Sequence, residues 1–158
     1  MNPEGSILLV EDDEDDRRVA LRALRRAGLE DSVAVAHNGR EALEVLGLEP
    51  GSAQPARRPS VVFLDLKMPG VDGWEILDRM RDEPCTAVIP VVVLSSSDRS
   101  DDVQRSYELG ANSFLVKHLD PRSPGTYIAE AAQYWLDLNR PPPRRVATGN
   151  GPREDARE

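Results

Sequence analysis

Cysteine is nearly absent. Cys85 stands alone among 158 residues, so neither an internal disulfide framework nor a cysteine-based zinc site can be assembled within the chain. No charged-then-apolar leader opens the sequence, and no apolar run reaches the roughly 20 residues needed to cross a bilayer. Positive charge is in deficit: 28 Asp and Glu face 20 Lys and Arg, for a net charge of -8. That balance argues against nucleic-acid binding, which asks for a basic face. Lysine is scarcer still, because Lys67 and Lys117 are the only lysines among those 20 cations. No internal repeat is found. The expectation is a soluble, cytoplasmic chain with one domain and a full core.

What is present alternates between two periods. Ile7-Leu8-Leu9-Val10 and Val61-Val62-Phe63-Leu64 are apolar without polar alternation, the pattern of strands buried on both faces. Ser32–Ala36, Ile89–Leu94 and Ser113–Val116 supply three more strands. Between them lie amphipathic segments. The first is capped by Asp13 and closed by Gly28, the second runs from Arg40 to Leu46, and the third from Asp72 to Asp82. The fourth starts near Asp98 and ends at Gly110, and the last covers Thr126 to Leu138 before Pro141-Pro142-Pro143. Residues 47–59 read as an exposed loop, and Trp74 as a packing or surface residue. The domain is expected over residues 5–140, and residues 141–158, rich in Pro, Gly and charge, as a disordered tail.

Five strands alternating with five helices require an α/β fold: a doubly wound, mostly parallel sheet with right-handed crossovers. The residues ending each strand then share one edge, where such sheets keep their ligands. Those residues are Glu11 and Asp12 after strand one, Asp65 after strand three, Ser95 after strand four and Lys117 after strand five. Three carboxylates gathered together repel unless a cation joins them, and hard oxygen donors suit Mg²⁺. A phosphoryl group accounts for the hydroxyl and ammonium beside them. Asp65 would be the nucleophile forming an acyl phosphate, with Ser95 and Lys117 each meeting a phosphoryl oxygen. The plainer alternatives are a Ser95 that starts a turn and a Lys117 that caps the sheet edge.

Val10-Glu11-Asp12-Asp13, Leu64–Gly73 (LDLKMPGVDG), Val93-Leu94-Ser95 and Ala111–Lys117 (ANSFLVK) together resemble the receiver domain of two-component response regulators. The resemblance implies a flavodoxin-like fold with sheet order 2-1-3-4-5, and phosphoryl transfer from a sensor histidine kinase to Asp65. It implies direct Mg²⁺ ligation by Asp12, Asp65 and the backbone carbonyl of Lys67, with Glu11 acting through water. Ser95 and Phe114 fall at the family's switch pair, in which the hydroxyl moves to the phosphoryl group and the ring turns inward. Such a chain is a signalling protein and not an enzyme in its own right.

Two departures stand out: His118 follows the lysine where the family usually has proline, and the hydroxyl belongs to serine and not threonine. The last helix, with Tyr134-Trp135-Leu136, and the long loop after helix two resemble single-domain regulators paired with bacterial phytochrome kinases. That subgroup implies a homodimer through the face of helix four, strand five and helix five, and an output to a downstream protein, with no nucleic acid or membrane partner. Two rival readings are a receiver-like binding module that is never phosphorylated and a haloacid-dehalogenase-type phosphatase. The second usually wants an acid two residues after its nucleophile, where this chain has Lys67.

Overall fold

A computed structural model describes residues 6–55, 57–117 and 122–143. Its parallel sheet consists of β1 (Ile7–Val10), β2 (Val33–Ala36), β3 (Val61–Asp65), β4 (Val91–Ser95) and β5 (Ser113–Val116), in the order β2-β1-β3-β4-β5. The helices are α1 (Glu14–Arg26), α2 (Gly39–Leu46), α3 (Gly73–Asp82), α4 (Ser100–Glu108) and α5 (Thr126–Gln133). This is the flavodoxin-like arrangement and order expected. His118, with the peptide preceding it, and residues 144–158 of the expected tail lie outside the described residues.

The apolar strands divide by parity, as period-two side chains must. Leu8, Val10, Val62, Leu64, Val91 and Val93 pack on one face with Leu43, Leu46, Ile76, Leu77 and Met80 of α2 and α3. Ile7, Leu9, Phe63, Val92 and Leu94 pack on the other with Leu24 of α1 and Ile128 and Ala132 of α5. β3 therefore has both faces covered, and all five of its residues are buried.

Several boundaries differ from expectation. A short 3₁₀ turn, Glu30–Ser32, precedes β2, and Gly39 opens α2 behind the cap residue Asn38. β4 starts at Val91, because the Ile89 amide is taken up by Thr86 in the preceding turn and Pro90 has no N–H to give. α4 starts at Ser100, two residues after Asp98. The final helix keeps α geometry only to Gln133 and then widens into a π turn over Tyr134–Leu138.

Three of the helices that leave the site edge are capped by side chains. Asp13, Asn38 and Asp72 accept from the amides of Asp16, Glu41 and Glu75 at 2.8, 2.9 and 2.9 Å. The opposite edge is gathered by Arg81 at the end of α3. Its guanidinium donates to the carbonyls of Gly110 (2.8 and 3.0 Å), Ile89 (2.9 Å) and Ala87 (3.1 Å), and to Asn112 Oδ1 (3.0 Å). Asn112 Oδ1 in turn accepts from the Val91 amide at 2.9 Å.

The loop from β3 into α3 returns so tightly that a Cβ placed on Gly73 would lie 2.3 Å from the Asp65 carbonyl oxygen. The Gly73 amide donates to the Leu66 carbonyl at 2.9 Å. A side chain there must displace backbone. Gly73→Ala is expected to lower stability by about 3 kcal/mol, the upper end of overpacking costs, read as a reduced urea midpoint with an unchanged slope.

Candidate functional site

Glu11, Asp12, Asp65, Ser95 and Lys117 arrive at one edge because each ends, or directly follows, a strand of the same parallel sheet. Glu11, Asp65, Ser95 and Lys117 are buried, and Asp12 is half-buried. Carboxylate oxygens of Glu11, Asp12 and Asp65 lie within 4.8 Å of one another. The Lys117 ammonium sits against this group, with Nζ 2.5 Å from Glu11 Oε2 and 3.3 Å from Asp65 Oδ1. Its backbone is tied in too: the Lys117 amide donates to the Ser95 carbonyl at 2.7 Å.

Ser95 Oγ accepts from the Ser97 amide at 3.1 Å, so the turn role considered for this hydroxyl is present alongside its place at the site edge. Phe114 is half-buried and packs against the core face shared with α2 and α3. Lys67 pairs its side chain with Asp102 of α4, Nζ–Oδ2 at 3.7 Å. Trp74 packs on the same core face, with the Arg105 guanidinium 4.3 Å above its ring.

Two residues of α1 belong to this arrangement although the sequence did not single them out. Asp16 Oδ2 is 3.0 Å from Lys117 Nζ. Arg17 Nη1 donates to the carbonyls of Glu11 (3.0 Å) and Asp12 (2.8 Å), drawing the acidic turn onto the helix. Both lie inside α1, past the strand ends that marked the other site residues. Asp16 lies in the first turn of α1, three residues beyond the Asp13 cap.

Burial governs the electrostatics. It pushes Asp65 up to about 7, with the negative Glu11 adding to the shift and Lys117 opposing it. The expected mutual repulsion of the acids is real but second to desolvation. Lys117 loses by burial and gains more from Glu11, Asp65 and Asp16, which together hold its ammonium well above the usual lysine range. Tyr127 of α5 is pushed up to about 12, mainly by burial. Among the described residues, the Lys117 ammonium meets the carboxylates of Glu11, Asp16 and Asp65, and Asp12 adds a further carboxylate to the group. A hard divalent cation fits that imbalance and that donor set, with Glu11, Asp12 and Asp65 as the residues able to hold it.

The sequence profile of the response regulator receiver domain matches residues 7–126. The chain is 37% identical over 136 residues to a probable methanogenesis regulatory protein, FilR2, of Methanothrix harundinacea, covering 86% of each chain. It is 33% identical to response regulator Rcp1 of Synechocystis sp., over 86% of this chain and 92% of Rcp1. Among solved structures, Mn²⁺-bound Rcp1 superposes with a TM-score of 0.77 at 31% identity, covering 88% of this chain and 99% of that one. The phosphorylated cyanobacterial phytochrome response regulator RcpA gives 0.79 at 33% identity, over 89% and 99%. The bacteriophytochrome response regulator RtBRR gives 0.68 at 40% identity, over 88% and 84%.

The raised Asp65 carboxyl has a measurable consequence in metal-free protein. Its folded-state pKa of about 7 lies above the ordinary carboxylate range. The folded chain therefore keeps a proton that the unfolded chain has released, and stability falls as pH rises from about 4 to about 7. Asp65→Asn removes the penalty. In chelator at pH 8 it is expected to melt several degrees above wild type, on the order of 2 kcal/mol, with the gap closing toward pH 4 in thermal melts.

Proposed function

This chain belongs to the response regulator receiver family, whose members are signalling proteins and not classical enzymes, and from that premise we propose that it accepts a phosphoryl group on Asp65 from a sensor histidine kinase and passes the change on through a protein–protein surface. The observation that carries the reading is the convergence on Asp65. A buried ammonium stands 3.3 Å from its Oδ1, and two further carboxylates share its surroundings.

In the step proposed, an Asp65 carboxylate oxygen attacks the phosphorus of a phosphohistidine. The phosphorus–oxygen bond forms as the phosphorus–nitrogen bond breaks, and the nitrogen keeps the electron pair. Attack requires ionised Asp65, and Lys117 favours that form by its charge. Bound Mg²⁺ would supply the positive charge that lets an anionic carboxylate meet an anionic phosphoryl group. Glu11, Asp12, Asp65 and the Lys67 carbonyl are the residues proposed to hold it, Glu11 through water.

Once the acyl phosphate exists, the Lys117 ammonium exchanges its contact with Asp65 for one with a phosphoryl oxygen. Ser95 gives up its local turn contact and donates its hydroxyl to another. Phe114, already half-buried, turns into the space behind Ser95. The movement reaches the surface through α4, β5 and α5.

Likeness to Rcp1, RcpA and RtBRR supports a bacteriophytochrome as the kinase partner. The same likeness, with exposed Tyr107 on α4 and exposed Tyr134 and Leu138 after α5, supports a homodimer on the α4/β5/α5 face. The downstream partner is a protein, and the exchange takes place in the cytoplasm.

Incubation with acetyl phosphate and Mg²⁺ is expected to add one phosphoryl group per chain, read by intact mass. Chelation and Asp65→Asn each abolish the addition. A wild-type chain that binds Mg²⁺ yet stays unlabelled would identify an inert binding module instead. Molar mass in solution is expected to show a dimer that phosphorylation strengthens, and a monomer at high concentration in both states rejects that interface.

A further inference from the structure

Lys117 is held by more acid than its proposed task needs. Its ammonium donates hydrogen bonds to Glu11 at 2.5 Å and Asp16 at 3.0 Å and forms an ion pair with Asp65 at 3.3 Å. Resting on the phosphoryl-transfer reading above, we propose that Asp16 is a positioning residue, the one anchor of Lys117 that keeps its grip throughout the phosphorylation cycle.

The three carboxylates differ in what else is asked of them. Glu11 and Asp65 lie in the group of oxygens within 4.8 Å of one another that suits a divalent cation, and among the described residues that group does not include Asp16. Cation binding draws on Glu11 and Asp65, and phosphorylation consumes the charge of Asp65 outright. Asp16 meets neither demand. Its backbone is fixed as well, since its amide donates to the Asp13 cap at 2.8 Å and its neighbour Arg17 clasps the carbonyls of Glu11 and Asp12. Its side chain is 23% exposed against 5% for that of Lys117, so it meets both the ammonium and solvent.

A lysine reaches its target on a flexible four-carbon stem and presents a charge without preferred direction. Two hydrogen-bonded anchors, Glu11 and Asp16, convert that rotor into a charge held 3.3 Å from Asp65 Oδ1. When cation and phosphoryl group pull Glu11 and Asp65 toward themselves, Asp16 alone keeps the ammonium from following solvent out of the site.

Asp16→Asn, Asp16→Ala and Asp16→Glu in the full chain test this, each checked for folding by thermal melting. With only Lys67 and Lys117 present, acylation by an amine-reactive ester can be read lysine by lysine by peptide mass. Lys67, whose side chain is 58% exposed, serves as the internal reference. In metal-free protein the Lys117-to-Lys67 ratio is expected to rise roughly tenfold in Asp16→Ala, less in Asp16→Asn, and to stay near wild type in Asp16→Glu. Labelling by acetyl phosphate at saturating Mg²⁺ is expected to slow roughly tenfold in Asp16→Ala, with the Mg²⁺ midpoint unchanged. Unchanged Lys117 reactivity in the two uncharged variants overturns the proposal, as does a Mg²⁺ midpoint that shifts as far as the rate. Should wild type bind Mg²⁺ and take no phosphoryl group, the transfer reading falls and this role falls with it. Wild-type labelling with Asp16 variants indistinguishable from it removes the role of Asp16 alone.

Discussion

A single buried ammonium set against an excess of carboxylate is the constraint on which the rest of this structure turns. Burying charge is costly, and burying like charges together is costlier. Lys117 offsets part of that cost by meeting Glu11, Asp16 and Asp65 at once, yet Asp65 still binds its proton far more tightly than an ordinary aspartate. The sheet makes the arrangement possible. Parallel strands deliver their carboxyl ends to one edge, and the packing on both faces keeps those ends from spreading. The site is thus a region of stored electrostatic cost inside an otherwise well-satisfied fold, the combination expected where chemistry is carried out.

The sequence was most readable where one physical demand acted alone. β3 announced itself because a strand covered on both faces must be apolar throughout, and Asp65 stood out because it ends that run. The cap Asp13 could be read from local turn chemistry, whereas Asp72, expected as the first residue of its helix, is the cap before Gly73. Legibility failed where two demands overlapped. Ile89 and Pro90 look like strand residues, but one is spent on a turn and the other lacks a donor. Asp98 has the chemistry of a helix start, yet α4 begins two residues later, after Ser97 Oγ has taken the Arg99 amide. Tyr134–Leu138 continues the apolar stripe of α5 while the backbone changes pitch, which side-chain periodicity does not report.

Asp16 and Arg17 illustrate the deeper limit. Neither ends a strand, the feature that marked the other site residues, and Asp16 pairs with a residue 101 positions away. Long-range pairs of this kind become visible only after topology has placed α1 beside the end of β5. The serine that replaces the family's usual threonine is easier to understand, because Ser95 is buried, keeps its hydroxyl acceptor role toward Ser97 and loses only a methyl group.

The Arg81 clasp has a consequence for how α4 can travel. Gly110 and Asn112, directly beyond the helix, are moored by one guanidinium to the same anchor that gathers Ala87 and Ile89. At its Ser100 end α4 makes the long Lys67–Asp102 ion pair, while Arg105 of its last turn stacks on Trp74. A rod fastened at one tip and lightly tethered at the other swivels and does not slide. A tilt of α4 about this clasp is therefore largest at the Ser100 end and vanishes toward Gly110.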